Sequence, residues 1–227
     1  MITAPVDLLE IMEGRRSCRA FKEDPIPEEH IQRILEAGRC APSGSNMQPW
    51  DILVVRDPEK RAWLIEILES MIRIDWANET ATGGTFAFGG LGYTRNVPVF
   101  FVIITYPRFS KISGQNSTSI PIIQRQNVGH LVQNMWLMIH SLGLASVITM
   151  IRHVENEIKE CFGIPGELEV TQVLPVGYPR QFRAKSRRPL QSFVHYDRYH
   201  TSKLRSEELI QEIISNPKKL ALEIYGT

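Results

Sequence analysis

Cysteine is scarce in this chain. Only Cys18, Cys40 and Cys161 occur in 227 residues. An odd, sparse count without CxxC spacing excludes a disulfide framework and a zinc site. The histidines are as little organised. His130 and His140 lie ten residues apart, and His153 and His195 stand alone. No HxxxH or HExxH pattern results, so no metal is expected. Long apolar runs are missing too, and none approaches the roughly 18 residues of a spanning helix. The N-terminus, MITAPVDLLEIMEGRR, lacks the apolar segment of a secretory signal. These absences read as a cytoplasmic protein. Charge of one sign is not in excess either, with 26 Lys and Arg against 25 Asp and Glu. A global field that would hold nucleic acid or a membrane surface is therefore excluded. Repeats, low-complexity tracts and a domain linker are also absent.

What is present is an ordinary globular pattern. Hydrophobic residues make up 43% of the chain, enough at this length for a core without staples. Residues 5–13 read as a short helix ended by Gly14. Pro27, Glu28 and Glu29 suit a second helix start, with Ile31, Ile34, Leu35 and Gly38 on one face. Pro42 stops it near Cys40. DILVVR (51–56) and PVFFVIIT (98–105) read as buried strands. Asp57, Pro58 and Glu59 begin a third helix through Leu64, Leu68 and Met71. From about Ile74 to Asn96 the pattern dissolves. The strongest helix runs from about Ile122 to Leu142 and ends at Gly143. ASVIT (145–149), a small helix at 154–162, TQVLPVGY (171–178) and a polar helix near 205–215 complete the chain. Strands alternate with helices over uneven connections. That allows a sheet with helices on both faces and leaves strand order open.

Three segments carry polar groups suited to chemistry. Arg15-Arg16-Ser17-x-Arg19 and Lys185-Ser186-Arg187-Arg188 each pair cations with a hydroxyl, as a phosphate monoester requires. Each alone also reads as solvated surface charge. Between a helix and a strand lies Pro42-Ser43-Gly44-Ser45-Asn46-Met47-Gln48-Pro49-Trp50. Its hydroxyls and amides can bond the heteroatom edge of a flat polar ring, and equally can serve only their own turn. Cys18 sits among arginines, and a small filler beside a cofactor suits it better than a reactive thiol. The glycine pairs at 83–84 and 89–90 lack the strand and the lysine–serine pair of a phosphate loop.

The order of these pieces is more specific than any of them. RRSxRxF is followed one helix later by PSxxNxQPW, then by QN in a long apolar helix, then LGL, then GYP with a basic KSR. Over roughly residues 10 to 200 this resembles the nitroreductase family of FMN flavoproteins. The resemblance implies an α+β fold, a three-layer α/β/α sandwich with a central mixed or antiparallel sheet flanked by helices. It implies one FMN-binding domain over 1–227, with about 190–227 (Ser192 to Tyr199 in particular) as a C-terminal extension packing on a partner subunit. The partner is a second copy in an intertwined homodimer, with FMN at the interface. Position by position, Arg15, Arg16, Ser17 and Arg19 match the N-terminal FMN motif. Arg15 and Ser17 would reach the phosphate and ribityl chain, and Arg19 the pyrimidine edge. Lys185 and Arg187 match the second phosphate pair. Pro42, Ser43, Gly44, Asn46 and Gln48 match the loop that reaches the ring from the other subunit. Thr149, Met150 and Ile151 fall where the family places a backbone N–H near flavin N5. Here Ile148-Thr149-Met150-Ile151 replaces the glutamate–glycine or glycine-rich stretch that often follows LGL.

The implied activity is an NAD(P)H-dependent oxidoreductase. NADH or NADPH would reduce electron-poor acceptors such as nitroaromatics or quinones by ping-pong hydride transfer through flavin N5. No general acid is required, and Arg19 is the candidate stabiliser of negative charge near N1 and O2. Phe86, Phe88 and Tyr93 are candidate substrate contacts on a glycine-rich lid, or aromatics of a dimer interface. The alternatives are reductive dehalogenation or flavin cleavage on the same fold, and a non-catalytic flavin-binding protein.

Overall fold

A computed structural model describes residues 7–81, 92, 94–107, 120–181 and 187–215. The chain forms two compact units, 1–182 and 183–227, each treated by itself.

The first unit is organised by one strand buried on both faces. β1 (Trp50–Val55) pairs antiparallel with β2 (Val99–Thr105), and β2 pairs antiparallel with β5 (Glu169–Gly177). Two short strands, β3 (Ala145–Ser146) and β4 (Thr149–Met150), pair antiparallel with β5. All seven residues of β2 are buried, which is why its sequence is an unbroken apolar run rather than an alternation. Its side chains alternate between two cores. Phe100, Val102 and Ile104 enter one with Leu64, Leu68 and Met71 of α3 (Pro58–Ala81) and Ile158 of α5 (Glu155–Phe162). Val99, Phe101 and Ile103 enter the other. There they meet Ile31 and Ile34 of α2 (Glu28–Arg39) and Leu131, Met135 and Ile139 of α4 (Ile120–Ser141). Helices thus lie on both faces of an antiparallel sheet, the expected three-layer α+β architecture.

β5 contains a register shift opposite Ile103 and Ile104. The extra residue inverts the inward–outward parity. Val170 therefore joins the same core as Val173 although the two are an odd number of residues apart. On the other face α2 and α4 approach closely at Gly38. A Cβ there would stand 3.0 Å from Met135 Cγ and 3.1 Å from Leu131 Cδ1, so glycine is a packing requirement.

Two sequence readings need correction. The pattern does not dissolve at Ile74, because α3 continues to Ala81. Its later turns bury Asp75 against Arg152 instead of an apolar residue, so the hydrophobic period is lost while the helix goes on. The strand expected at 145–149 is two pieces, 145–146 and 149–150, separated by Val147 and Ile148. The remaining elements lie within a few residues of expectation. The first helix, α1 (Leu8–Gly14), begins at an Asp7 N-cap whose side chain accepts from Leu9 N at 2.9 Å.

In the second unit, turns at Leu190–Ser192 and Thr201–Lys203 precede α6 (Glu207–Ser215). His195 stacks on Tyr199, with centroids 4.2 Å apart, and its Nδ1 accepts from His200 N at 3.0 Å. Among the described residues no helix is long and apolar enough to cross a membrane. No group of His, Cys, Asp and Glu among them could hold a metal.

Candidate functional site

The arginine motif is fixed to a sheet edge by backbone bonds. Ser17 forms a parallel bridge with Ser146 of β3, and Cys18 N donates to Ser146 O at 2.9 Å. Farther along, Lys22 N donates to Tyr178 O and Arg180 N to Ala20 O, both at 2.8 Å. The buried Cys18 side chain anchors the segment from below. Burial pushes this thiol above its ordinary pKa, outweighing a backbone hydrogen bond of Ala20 and the nearby Arg19 charge.

The motif also leans on α4. The Arg15 guanidinium lies 4.0 Å from the centroid of the Trp136 ring, a cation–π contact. One turn later His140 abuts Gly14, where a Cβ would stand 2.7 Å from its Nε2. Burial first, then the charges of Arg15 and Arg16, hold the His140 pKa below its ordinary value. Arg16 donates to the carbonyls of Glu13 and Arg15. Near this segment the fully buried Ser146 Oγ and the buried Trp136 Nε1 have no hydrogen-bond partner.

The strand beside the motif supplies main-chain donors. Ile151 N donates to Thr171 O at 3.2 Å. Antiparallel pairs alternate between bonded and non-bonded, so Thr149 faces Val173 as a bonded pair while the N–H of Met150 turns away from β5. Cys18 bonds Ser146 from that same outer side. The alternation also explains the break between β3 and β4. Val147 would face Pro175, which has no N–H to give.

The loop at 42–48 is held differently. Gly44 N donates to Asn127 Oδ1 at 3.1 Å, and His130 Nδ1 lies 3.2 Å from Pro42 O. Ser43 Oγ accepts from Gln48 N at 2.9 Å, and Gln48 Nε2 reaches Asn46 Oδ1 at 3.2 Å. Ser45, Asn46 and Gln48 have φ of 51°, 53° and 45°. Three left-handed non-glycine residues in four positions store strain, which persists where the surroundings over-determine it and is concentrated at functional sites.

Both motifs therefore rest on α4, on different halves. Asn127 and Trp136 are about 14 Å apart along the helix axis at ~1.5 Å per residue. Of the other expected site residues, Thr149, Met150 and Ile151 lie at the edge beside Ser17. Arg187 is an exposed residue of the second unit. Lys185, Phe86, Phe88 and Tyr93 lie outside the described residues. Trp136 and Asn127, which seat the two motifs, were not singled out by sequence reasoning. In sequence Trp136 is one more apolar residue of a long helix, and nothing in a QN pair says which loop it will bond.

Comparison with known proteins agrees with this geometry. The nitroreductase family profile matches residues 12–178. The NADPH-flavin oxidoreductase of Vibrio harveyi is 30% identical over 197 residues, 84% of this chain and 74% of that protein. The crystal structure of the Vibrio harveyi NADPH:FMN oxidoreductase complexed with NAD+ superposes with a TM-score of 0.70 at 26% identity. That match covers 94% of this chain and 85% of the other. Iodotyrosine deiodinase 1 of Rattus norvegicus is 24% identical over 179 residues, 76% of this chain but only 62% of its own length. With its motifs on a three-layer antiparallel scaffold, the chain belongs to the nitroreductase family.

Proposed function

We propose that the protein is an FMN-dependent oxidoreductase that takes hydride from NADH or NADPH and passes it to electron-poor acceptors such as nitroaromatics or quinones. Membership of the family supports flavin-dependent NAD(P)H oxidoreduction in general. The observation that carries the finer reading is the docking of Ser17–Arg19 on the sheet edge that also presents the outward N–H of Met150.

The donor set fits FMN. Arg15, Arg16 and Ser17 offer cations and a hydroxyl for a phosphate and its ribityl chain, and the partnerless Ser146 Oγ and Trp136 Nε1 lie beside them. Bound FMN would supply hydride exchange at its N5. The chain's own residues bind and orient. Arg19 would hold the pyrimidine edge and place positive charge there, and losing such a contact would cost on the order of 2–4 kcal/mol. The Met150 N–H, flanked by Thr149 and Ile151, supplies a main-chain donor for the N5 side. Pro42, Ser43, Gly44, Asn46 and Gln48 form a rigid polar loop for the ring. From the sequence motif only, the reading extends to Lys185 and Arg187 as further phosphate contacts.

The 14 Å separation along α4 supports completion of each site by a second copy. A further observation favours the homodimer. α1 buries none of its residues, and Leu8, Leu9 and Met12 are exposed, although a seven-residue helix cannot stand without packing. Beside it lies an apolar groove of about 470 Å³ lined by Leu8, Ile11, Ala37, Leu137 and Met138. A second copy covering this face would bury all of these.

The test is an absorption spectrum of the purified protein followed by anaerobic NADH and then NADPH. Flavin bands that bleach support the reading. A protein that takes up no added FMN sinks it. Bands that fail to bleach would move the assignment to a flavin-binding protein without turnover. The likeness to a deiodinase keeps reductive dehalogenation as a second reading, supported if reduced enzyme is reoxidised by iodotyrosine and not by a nitroaromatic.

A further inference from the structure

The side chain of Asp75 on α3 is nine-tenths buried, and it takes no part in the site described above. Its carboxylate receives Arg152 through Nε at 3.2 Å and through Nη2, and His153 Nε2 lies 3.2 Å from Oδ1. Arg152 and His153 are the residues that follow β4 and Ile151. The chain leaving β4 is thus held twice. Ile151 N is fixed to Thr171 O of β5, and the next two side chains converge on one carboxylate of α3. Val154, buried, and Glu155, whose Oε1 accepts from Val170 N at 3.1 Å, then fix the start of α5.

A buried carboxylate is a poor device for stability, because desolvation offsets most of the attraction and an apolar residue would serve as well or better. It is a good device for geometry, because a forked guanidinium accepts only a narrow range of carboxylate placements. The two partners are roughly half exposed, so water could satisfy both without Asp75. What the carboxylate adds is the path of the backbone between them and β4.

We propose that Asp75 is a positioning residue for hydride transfer: by clamping Arg152 and His153 it fixes the direction of the Met150 N–H at the sheet edge. The inference rests on the flavin reading, and it places the control of that donor on α3, a helix distant from it in sequence. It acts through the main chain, so FMN affinity, set by the arginine motif, is left almost untouched.

The experiment compares wild-type, Asp75→Asn and Arg152→Lys proteins. In FMN-free protein, hydrogen exchange of the Ile151 amide, which is bonded to Thr171 O, is expected to accelerate at least tenfold in Asp75→Asn, and about threefold in Arg152→Lys, which keeps charge but loses the fork. In the FMN-loaded proteins, the limiting rate of flavin bleaching by NADPH is expected to fall at least tenfold for Asp75→Asn. Its FMN Kd and NADPH KM are expected within threefold of wild type. Wild-type exchange or wild-type bleaching in a folded Asp75→Asn protein overturns the proposal. If Asp75→Asn does not fold, Arg152→Lys decides on the same two readings. A wild-type chain that takes up no FMN overturns the flavin reading instead, and exchange alone then decides whether Asp75 holds the segment.

Discussion

The two helical layers hold the sheet by different means. On one face α2 and α4 meet through apolar side chains, close enough that Gly38 has no room for a Cβ. On the other, α3 begins with Leu64, Leu68 and Met71 in the core. It then turns to buried acids, Glu69 bonded to Arg95 and Asp75 to Arg152 and His153. The apolar layer is set by volume, and its helix α4 also seats both motifs through Asn127 and Trp136. The ionic layer fixes directions, and its partners Arg152 and His153 follow β4 at the candidate site. One face thus carries the motifs on a packed core, and the other orients the strand beside them.

Leu131→Ala strikes the apolar layer at a fully buried point. It is expected to lower unfolding stability by about 3 kcal/mol through lost transfer energy and a cavity. Urea denaturation measures this, and a loss below ~1 kcal/mol would show that α2 and α4 collapse onto the gap. Gly38→Val should cost about 2 kcal/mol by overpacking against Met135 and Leu131. FMN affinity of the folded fraction should be unchanged, since no flavin-motif residue is altered.

A pH series gives a smaller and signed effect. The folded-state pKa of His140 is depressed, so the unfolded chain binds more protons just below the ordinary histidine value of 6.5. Stability should fall as pH drops through 6.5, and stop falling below the folded pKa. His140→Gln should flatten that part of the profile. An unchanged slope would place the titration elsewhere. The smallest effect is chemical. Cys40, which lines the groove assigned to the second copy, should react with a disulfide reagent wherever that face is uncovered, while buried Cys18 stays silent until unfolding. Prompt modification of Cys18 would show that the arginine segment leaves its edge.

The same division explains what could be read from residues. α2 and α4 were legible because their partners are apolar and periodicity survives. The final turns of α3 were not, because a buried carboxylate and an exposed one look alike in sequence; only Arg152 and His153, far along the chain, reveal the difference. The motifs that match the family were legible as order and spacing, since arginine forks and a polar loop leave a mark in side chains. Their seats on α4 were not. The Asn127–Gly44 bond and the stack of Arg15 on Trp136 join residues more than eighty positions apart. Nor did strand periodicity announce the break in β3–β4, which follows from a missing proton on Pro175.

That break has a consequence for how this edge can change. β3 and β4 share one register on β5 despite the two residues between them. What the edge presents is main chain, so the identity of the exposed Met150 is nearly free, and a change of its side chain leaves its outward N–H in place. Length is not free. One residue added or removed between Ser146 and Thr149 would rotate every outward N–H toward β5 and every inward one toward the site. The edge is a ruler, tolerant of spelling and strict about count.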